Sequence, residues 1–487
     1  LEAEPGERPV VVGELYLEYH RGVYTSQAFT KRMNRRCEQL LHDAEFLSCA
    51  RGGEYPRKEL DRLWKLLLLQ QFHDILPGSS IGLAYEDARR DFAEVESGAA
   101  AICGSGETPA NTIGVARREV VRDPAGTLCV VEAPPYAAGR VVEAADVVRV
   151  DGLTLENEHL RVRLGAGGTV ESVVERSIGR ETLAAPGNRL ELYEDLPTRF
   201  DAWDVDPFHL DTRRDCPPAE SWEVAAEGGL RGEIAFARRL GEASTLRQAV
   251  RLDAGARRLE FRTSVDWHEE HRLLKVCFPL DVRAANATYE MPFAYAERPT
   301  HYSTSFDRAR FEVPGHRFAD LSEHGFGAAL LTDSKYGYSC YGSELRISLL
   351  RATKSPDPEA DMGAHEFAYA LFPHAGGWRN AGLVAEAMCF NAPIRWTHGA
   401  PGESFASVDD LNLVLDTIKC AEGSDALVLR LYEAHGGRGT ARISLAVPFD
   451  RAMLANALEE EVGEVAIDEG ALVLSYRPHE VLTVVVS

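Results

Sequence analysis

The apolar residues of the first hundred positions recur every three or four residues, which is the spacing of amphipathic α-helices. A first helix is predicted from about Ser26 to Cys49, with Thr25 or Ser26 accepting its first free amide hydrogens and Gly52 and Gly53 ending it. Its apolar stripe consists of Phe29, Met33, Cys37, Leu40, Leu41, Ala44 and Leu47. The cations off that stripe are expected to face water, and they are Lys31, Arg32, Arg35 and Arg36.

A second predicted helix, opened by Pro56 at a first-turn position, is apolar around most of its circumference. Its large apolar residues are Trp64, Leu66, Leu67, Leu68, Leu69 and Phe72. This pattern predicts a helix that is buried on most sides. His73 and Asp74 fall in its last turn, and Pro77 and Gly78 stop it within a turn. An imidazole and a carboxylate are therefore expected at a helix end.

A third helix is predicted directly afterwards, with Ser79 or Ser80 as its cap. Its apolar face consists of Ile81, Tyr85, Ala88, Phe92 and Val95. The helix ends by about residue 98, and the short connections make neighbouring helices antiparallel. Residues 25–100 are therefore predicted to form a three-helix bundle.

After Gly104 the sequence changes to short β-branched segments separated by Gly, Pro, Asn and Asp. Strands without interleaved helices favour antiparallel sheets packed face to face, so no helix longer than three turns is expected within residues 220–350. The predicted units are a small β unit or linker over residues 101–150, a large β-sandwich over 151–403 and a small C-terminal β-sandwich over 404–487. The fold class is α+β and multidomain: a three-helix bundle followed by antiparallel β-sandwich domains. Alternating apolar and polar residues predict one further strand over residues 8–19.

Composition excludes several classes of partner. A formal net charge of -23 argues against nucleic acid and anionic membranes, because those surfaces require clustered positive charge. No run of 18 apolar residues occurs, so no membrane span is predicted. The nine cysteines are scattered without a CxxC pair, which is typical of buried thiols in a reducing cytoplasm. The sequence leaves open a signal peptide ahead of Leu1 and assembly into a homo-oligomer.

His73 has two interpretations from the local sequence. It is either an interior histidine that is hydrogen-bonded to a neighbour, or a metal ligand or acid–base group held on a rigid support. Local sequence does not decide between them.

Residues 194–211, EDLPTRFDAWDVDPFHLD, crowd carboxylates around a tryptophan. A flat apolar ring flanked by hydrogen-bond acceptors is what a sugar site uses, which makes Asp201, Trp203 and Asp204 candidate substrate contacts. The alternative is a rigid surface loop folded on its own tryptophan.

Other polar residues are expected to be structural. Five histidines between residues 291 and 374 fit no metal-ligand spacing; they are His301, His316, His324, His365 and His374. Glu269 and Glu270 cannot flank one glycosidic bond, because adjacent residues on a strand point to opposite faces. No catalytic carboxylate pair is therefore predicted within this chain.

Two long motifs carry a resemblance to a known family. The runs GELYLEYHRGVYTSQA and LLLLQQFHDILPGSSI resemble the middle segment of the class II α-mannosidases, glycoside hydrolase family 38. Residues 291–339 and 355–374 and the DAWD motif are also similar to the family. The resemblance implies that His73 is one of four ligands of a catalytic zinc, that Asp74 reaches the bound sugar, and that the DAWD loop lies near the pocket.

The resemblance also implies that the catalytic domain is absent, with residues 1–24 as its tail. That domain would supply a histidine, an aspartate, the aspartate nucleophile and the general acid, so none of the catalytic residues is expected here. The expected function is that of a C-terminal fragment of a zinc-dependent retaining α-mannosidase, which removes terminal α-linked mannose from glycans or mannosyl conjugates. The alternative is a non-catalytic β-sandwich carbohydrate-binding protein.

Overall fold

A computed structural model describes residues 10, 14–16, 18–145 and 147–487. Half of the strand predicted over residues 8–19 lies outside the described residues, and its described positions form no strand. The bundle helices are α1 Ala28–Arg51, α2 Arg57–Gln70 and α3 Gly82–Cys103. All three pack against one another around a core that includes Leu41, Leu63 and Phe92.

Two expectations about the bundle surface are wrong. On α1, Lys31 and Arg35 are buried: Arg35 binds carbonyl oxygens of the sandwich, and Lys31 binds carbonyl oxygens of Ser26 and of the turn that follows α2. On α2, only Leu60, Leu63, Leu67 and Gln70 are buried. The second helix therefore keeps an apolar face open, since Leu68 and Leu69 are each 55% exposed. Phe72, just beyond the helix end, continues this face and is 51% exposed.

The strands follow the bundle almost without interruption. From residue 108 to residue 194 they are β1 Thr108–Asn111, β2 Arg117–Arg122, β3 Leu128–Ala133, β4 Ala137–Ala138, β5 Arg140–Val142, β6 Val148–Asp151, β7 Thr154–Glu156, β8 Leu160–Leu164, β9 Val170–Glu175, β10 Arg180–Glu181 and β11 Arg189–Glu194. From residue 214 to residue 375 they are β12 Arg214–Asp215, β13 Ser221–Gly229, β14 Arg231–Leu240, β15 Ser244–Asp253, β16 Leu259–Trp267, β17 Arg272–Pro279, β18 Asn286–Met291, β19 Ala294–Pro299, β20 Val313–Pro314, β21 Phe318–Glu323, β22 Phe326–Thr332, β23 Gly337–Tyr341, β24 Glu344–Arg351 and β25 Gly363–Ala375.

The last strands are β26 Arg395–Thr397, β27 Ala406–Val408, β28 Leu413–Cys420, β29 Leu427–Glu433, β30 Gly439–Leu445, β31 Ala452–Ala455, β32 Glu461–Glu464, β33 Ala466–Asp468, β34 Ala471–Tyr476 and β35 Val481–Val486. The remaining helices are the 3₁₀ helix Pro207–Thr212, α4 Ser305–Ala309 and α5 Leu383–Asn391. Within residues 220–350 the single helix, α4, has five residues, as the strand spacing predicts. None of the described helices is both long and apolar enough to cross a bilayer.

Antiparallel sheets form two sandwiches. The large one pairs a 14-stranded sheet, in the order β10-β9-β8-β7-β6-β13-β14-β15-β16-β25-β22-β21-β18-β19, with a six-stranded sheet, β12-β11-β17-β24-β23-β20. Trp267, Phe278 and Tyr369 are among the side chains that fill the space between them. The small C-terminal sandwich consists of β27-β30-β34-β33 and β28-β29-β35-β31-β32. The predicted fold class, a helical bundle followed by antiparallel sandwiches, is confirmed.

Smaller elements connect these units. The strands β2-β3-β5 form a three-stranded sheet, and β1 lies between β26 and β4, so the chain returns to this region some 280 residues later. The helix α5, which is not among the predicted elements, packs on the outer face of the large sheet through residues such as Leu383 and Ala387. One sheet of the β unit that follows the bundle is thus completed by β26, from a distant part of the chain.

The amino terminus of α1 is capped from the sandwich. Neither Thr25 nor Ser26 caps it; the backbone amides of Gln27 and Ala28 instead donate to the buried carboxylate of Asp361, each at 2.7 Å. The negative charge of Asp361 also interacts favourably with the positive end of the helix dipole. The orientation of α1 is therefore fixed by a residue more than 300 positions away.

Replacing Asp361 with alanine tests this cap. Two buried N–H groups would lose their acceptor, so the variant should lower the local free energy of unfolding of α1 by about 2–4 kcal/mol. Hydrogen–deuterium exchange of the α1 amides measures this as faster exchange. As a control, Asp425→Ala removes a fully exposed carboxylate and should change the exchange of α1 by less than about 0.5 kcal/mol. Equal effects would show that Asp361 is not the cap.

Candidate functional site

The segment after α2 is a turn, and we call residues 71–80 the histidine turn. The helix ends at Gln70, so His73 lies three residues beyond it and not in its last turn. Pro77 has no amide to donate to the carbonyl of His73, which removes a bond that a continuing helix would need. The side chain of Gln71 also leaves the helix path and donates to Glu38 on α1 at 2.8 Å. The sequence therefore places His73 on a loop.

His73 is the most solvent-accessible part of this turn. Its side chain is 78% exposed, and its Nε2 lies 3.6 Å from a carboxylate oxygen of Asp74. The ring of Phe72 lies 4.2 Å from the imidazole, centroid to centroid. Asp74 also accepts a hydrogen bond from the hydroxyl of Ser79 at 3.2 Å. An imidazole with an adjacent carboxylate thus faces outward at the end of the bundle.

The histidine turn is anchored to the segment that precedes α1. Lys31 is buried, and its ammonium donates to the carbonyl oxygens of Ser26, Leu76 and Pro77 at 2.5, 2.9 and 3.2 Å. Burial lowers the pKa of Lys31 to about 7. Gly78 has a positive φ, and a Cβ there would lie 2.5 Å from the oxygen of Ser26, so only glycine fits this close approach. The turn is held rigidly although His73 itself is exposed.

The tryptophan loop, residues 195–206, packs on the same segment. The hydroxyl of Ser26 donates to the carbonyl of Ala202 at 2.8 Å, and the amide of Gly22 donates to the carbonyl of Trp203 at 2.8 Å. Two motifs that are 130 residues apart in the sequence, the histidine turn and the tryptophan loop, therefore contact one short segment, residues 22–26. The DAWD loop lies at the bundle end that carries His73.

Arg351 is the centre of this arrangement. Its guanidinium and the carboxylate of Asp195 are both completely buried and form a two-bond pair at 2.7 and 3.1 Å. The remaining donors of Arg351 bind the hydroxyl of Ser26 and backbone carbonyls of the tryptophan loop; the accepting carbonyls belong to Asp201, Ala202 and Asp204. This buried pair could not be predicted from sequence spacing, since the partners of Arg351 lie about 150 and 325 positions away from it.

The side chains of the tryptophan loop differ in their exposure and in their partners. Asp204 is buried and pairs with Arg21 at 3.2 Å, and Asp201 accepts the backbone amides of Lys354 and Ser355 at 2.6 and 3.0 Å. Both carboxylates therefore have structural partners. Trp203 is partly exposed.

An aromatic cluster extends from Trp203 toward solvent. The ring of Phe200 lies 6.5 Å from Trp203 and 5.9 Å from Tyr19, in edge-to-face geometry. Phe200 and Tyr19 are both more than half exposed. Neither was a candidate from the sequence, although both flank the motifs that were.

The described part of the chain brings no set of metal-binding side chains together. Within the described residues no three His, Cys, Asp or Glu side chains come close enough to hold a metal ion. Among the histidines expected to be structural, His374 is fully buried and bound to Asp320 at 2.8 Å. His316 lies 3.6 Å from Glu290. The imidazole of His73 is thus a single donor, and further ligands would have to come from outside the described residues.

A buried histidine beside the tryptophan loop predicts a pH dependence. Burial and the nearby charge of Lys275 lower the pKa of His209 to about 3, whereas an unfolded chain has a histidine pKa of about 6.5. Between these values the unfolded chain binds a proton that the folded chain does not, so stability falls as the pH is lowered through this window. His209→Phe should make that decline shallower by about 1.4 kcal/mol per pH unit.

Denaturant unfolding from pH 6.5 to pH 4 measures the slope. The exposed His324, changed to Phe, is the matched control and should leave the slope as in the parent chain. An unchanged slope in His209→Phe would contradict the assignment.

Comparisons with known proteins identify the family to which the chain belongs. Family models described as "Alpha mannosidase middle domain", "Glycosyl hydrolases family 38 C-terminal domain" and "Glycosyl hydrolases family 38 C-terminal beta sandwich domain" match residues 18–106, 155–359 and 412–484. Alpha-mannosidase 2C1 from Homo sapiens is 41% identical over 99% of this chain, and an alpha-mannosidase from Saccharomyces cerevisiae is 30% identical over 93%.

The chain covers 51% and 46% of those two proteins, so it spans about half the length of the relatives it matches. A crystal structure titled as an alpha-mannosidase from Enterococcus faecalis V583 shares the fold, with a TM-score of 0.79 and 14% identity over 96% of this chain and 68% of that one. With three models of one family matched in order along the chain, the protein belongs to glycoside hydrolase family 38, the class II α-mannosidases, of which it comprises the middle and C-terminal domains.

Proposed function

We propose that this chain is the non-nucleophilic half of a zinc-dependent retaining α-mannosidase. The observation that carries the proposal is the presentation of His73: an exposed imidazole beside Asp74, held on a turn that Lys31 of α1 anchors. A metal ligand needs this combination of an accessible nitrogen and a fixed backbone. The carboxylate of Asp74 can orient the imidazole, as outer partners of metal-bound histidines do.

Zinc, when bound, would bind sugar hydroxyls and favour distortion of the sugar ring. His73 alone fits the donor chemistry of zinc, since a neutral imidazole nitrogen is one of its ordinary ligands. The other ligands, the nucleophile and the general acid would come from the other half of the protein. The role of this chain is to place one ligand and one wall of the sugar pocket.

The exposed apolar face of α2 favours the packing of a further domain at this position. Leu68, Leu69 and Phe72 lead directly to His73, and Ile81 and Leu83 are exposed beyond it. An apolar patch of this kind beside a polar site marks an interaction surface. We propose that the catalytic domain packs here and closes the pocket over His73.

The tryptophan loop would form the sugar-facing wall through its aromatic residues. Aromatic faces contact the C–H groups of sugar rings, which suits Trp203 and Phe200. Because Asp201 and Asp204 already bind protein groups, we propose that they fix the loop, whereas Asp74 is the carboxylate that reaches the sugar hydroxyls. The substrate would be an α-mannoside.

We also propose a cytoplasmic location. All nine cysteines are free thiols, and even Cys49 and Cys420, whose sulfur atoms lie 3.6 Å apart, are not joined. Free thiols persist in a reducing compartment.

Residues 1–487 alone should show no measurable α-mannosidase activity. One imidazole cannot offset the dehydration of zinc, so metal affinity should be weak. Hydrolysis of a chromogenic α-mannoside and metal analysis after dialysis measure both properties. Stoichiometric zinc together with turnover would contradict the proposal.

In a protein that carries both halves, His73→Ala should remove activity and zinc without unfolding the chain. Because the side chain is 78% exposed, the change in folding stability should stay within about 0.5 kcal/mol. The matched control is His268→Ala, which deletes another exposed histidine beside an aspartate, Asp266 at 2.8 Å. Activity and zinc content should survive in the control. Full zinc and activity in His73→Ala would exclude His73 as a ligand.

A further inference from the structure

A basic cleft of about 830 Å³ lies outside the site described above. It is formed by α1, by β2, by the strands β14 to β16 of the large sheet and by α5. Twelve arginines and five carboxylates line it, whereas the chain as a whole has a net charge of -23. Such a local reversal of charge concentrates anions at the cleft.

Part of this positive charge is not neutralised within the protein. Arg122 and Arg257 are exposed and, among the described residues, form no ion pair; each donates only to a backbone carbonyl, that of Gly126 at 2.7 Å or Ala381 at 3.3 Å. The guanidinium of Arg257 also lies 5.0 Å from the ring of Phe372, which limits its motion. These cations are available to a ligand.

Arg117 adds a fixed cation to the wall of the cleft. Its side chain is 2% exposed and pairs with Glu119 at 2.6 Å. Its terminal nitrogens also donate to the carbonyl oxygens of Ala392 and Cys389, at 2.6 and 3.2 Å. The guanidinium therefore adds positive potential to the cleft from a fixed position.

We propose that the cleft binds a small organic phosphate. Guanidinium groups match the paired oxygens of a phosphate, and the volume is that of a pocket for a small metabolite. Wall carboxylates fix the orientation of the arginines, as Glu260 does for Arg258 at 2.8 Å. Fixed donors lose little conformational freedom when the anion binds.

Isothermal titration calorimetry of residues 1–487 with pyrophosphate, glucose 6-phosphate and citrate tests the proposal. We expect saturable 1:1 binding of both phosphates and weaker binding of the carboxylate. Arg122→Gln with Arg257→Gln should weaken phosphate binding about tenfold or more, since each removes a charge-assisted contact. Both residues are exposed, so the fold should persist, which circular dichroism checks.

The matched control is Arg438→Gln with Arg477→Gln, which removes the same charge from exposed positions on the C-terminal sandwich. Its phosphate affinity should equal that of the parent chain. An equal loss of phosphate affinity in the two double variants would show that only net charge matters, and would overturn the proposed site. Absence of saturable phosphate binding, or citrate binding as tight as that of pyrophosphate, would overturn it as well.

Discussion

The buried pair between Arg351 and Asp195 holds the candidate site together. Removing two charges from water is expensive, and it is tolerated only where every donor and acceptor finds a partner. Burial raises the pKa of Asp195, and the charge of Arg351 opposes that shift. The same guanidinium binds Ser26 and the carbonyls of the tryptophan loop. One cation at the end of β24 therefore fixes both the tryptophan loop and the segment that leads into α1.

Two further buried carboxylates of the sandwich, those of Asp361 and Asp357, fix the position of the bundle helices. Asp361 binds the first amides of α1, and Asp357 accepts the side-chain amide of Gln27 at 2.7 Å and lies against Gly82 at the start of α3. Both aspartates belong to the loop between β24 and β25. Lys31 of α1 in turn binds a carbonyl oxygen of the turn that carries His73. The position of His73 thus depends on α1 and, through the cap of α1, on the sandwich.

Local periodicity locates the three helices within a few residues, because each has one apolar face that must be buried. Periodicity could not show which face of α2 remains open, since Leu68 and Leu67 are equally apolar and only the packing distinguishes them. It also predicted wrongly that Lys31 and Arg35 face water. The partner of Lys31 lies on the histidine turn, and that of Arg35 lies in the sandwich. His73 and the tryptophan loop were recognisable as motifs. Arg351, which joins them, has no sequence signal because its six acceptor contacts are non-local.

The core of the bundle continues into the C-terminal sandwich, and this continuity has a consequence for biosynthesis. Phe46 on α1 packs against Tyr136 and Phe405, with ring centroids 4.8 and 5.8 Å away, and His42 binds the carbonyl of Asp416. The bundle helices therefore lack part of their core until Phe405 and Asp416, more than 350 residues later in the chain, have been made. Contacts this distant in sequence form slowly. The helices must wait with apolar surface uncovered, so the cell is expected to need chaperone protection for this chain during its synthesis.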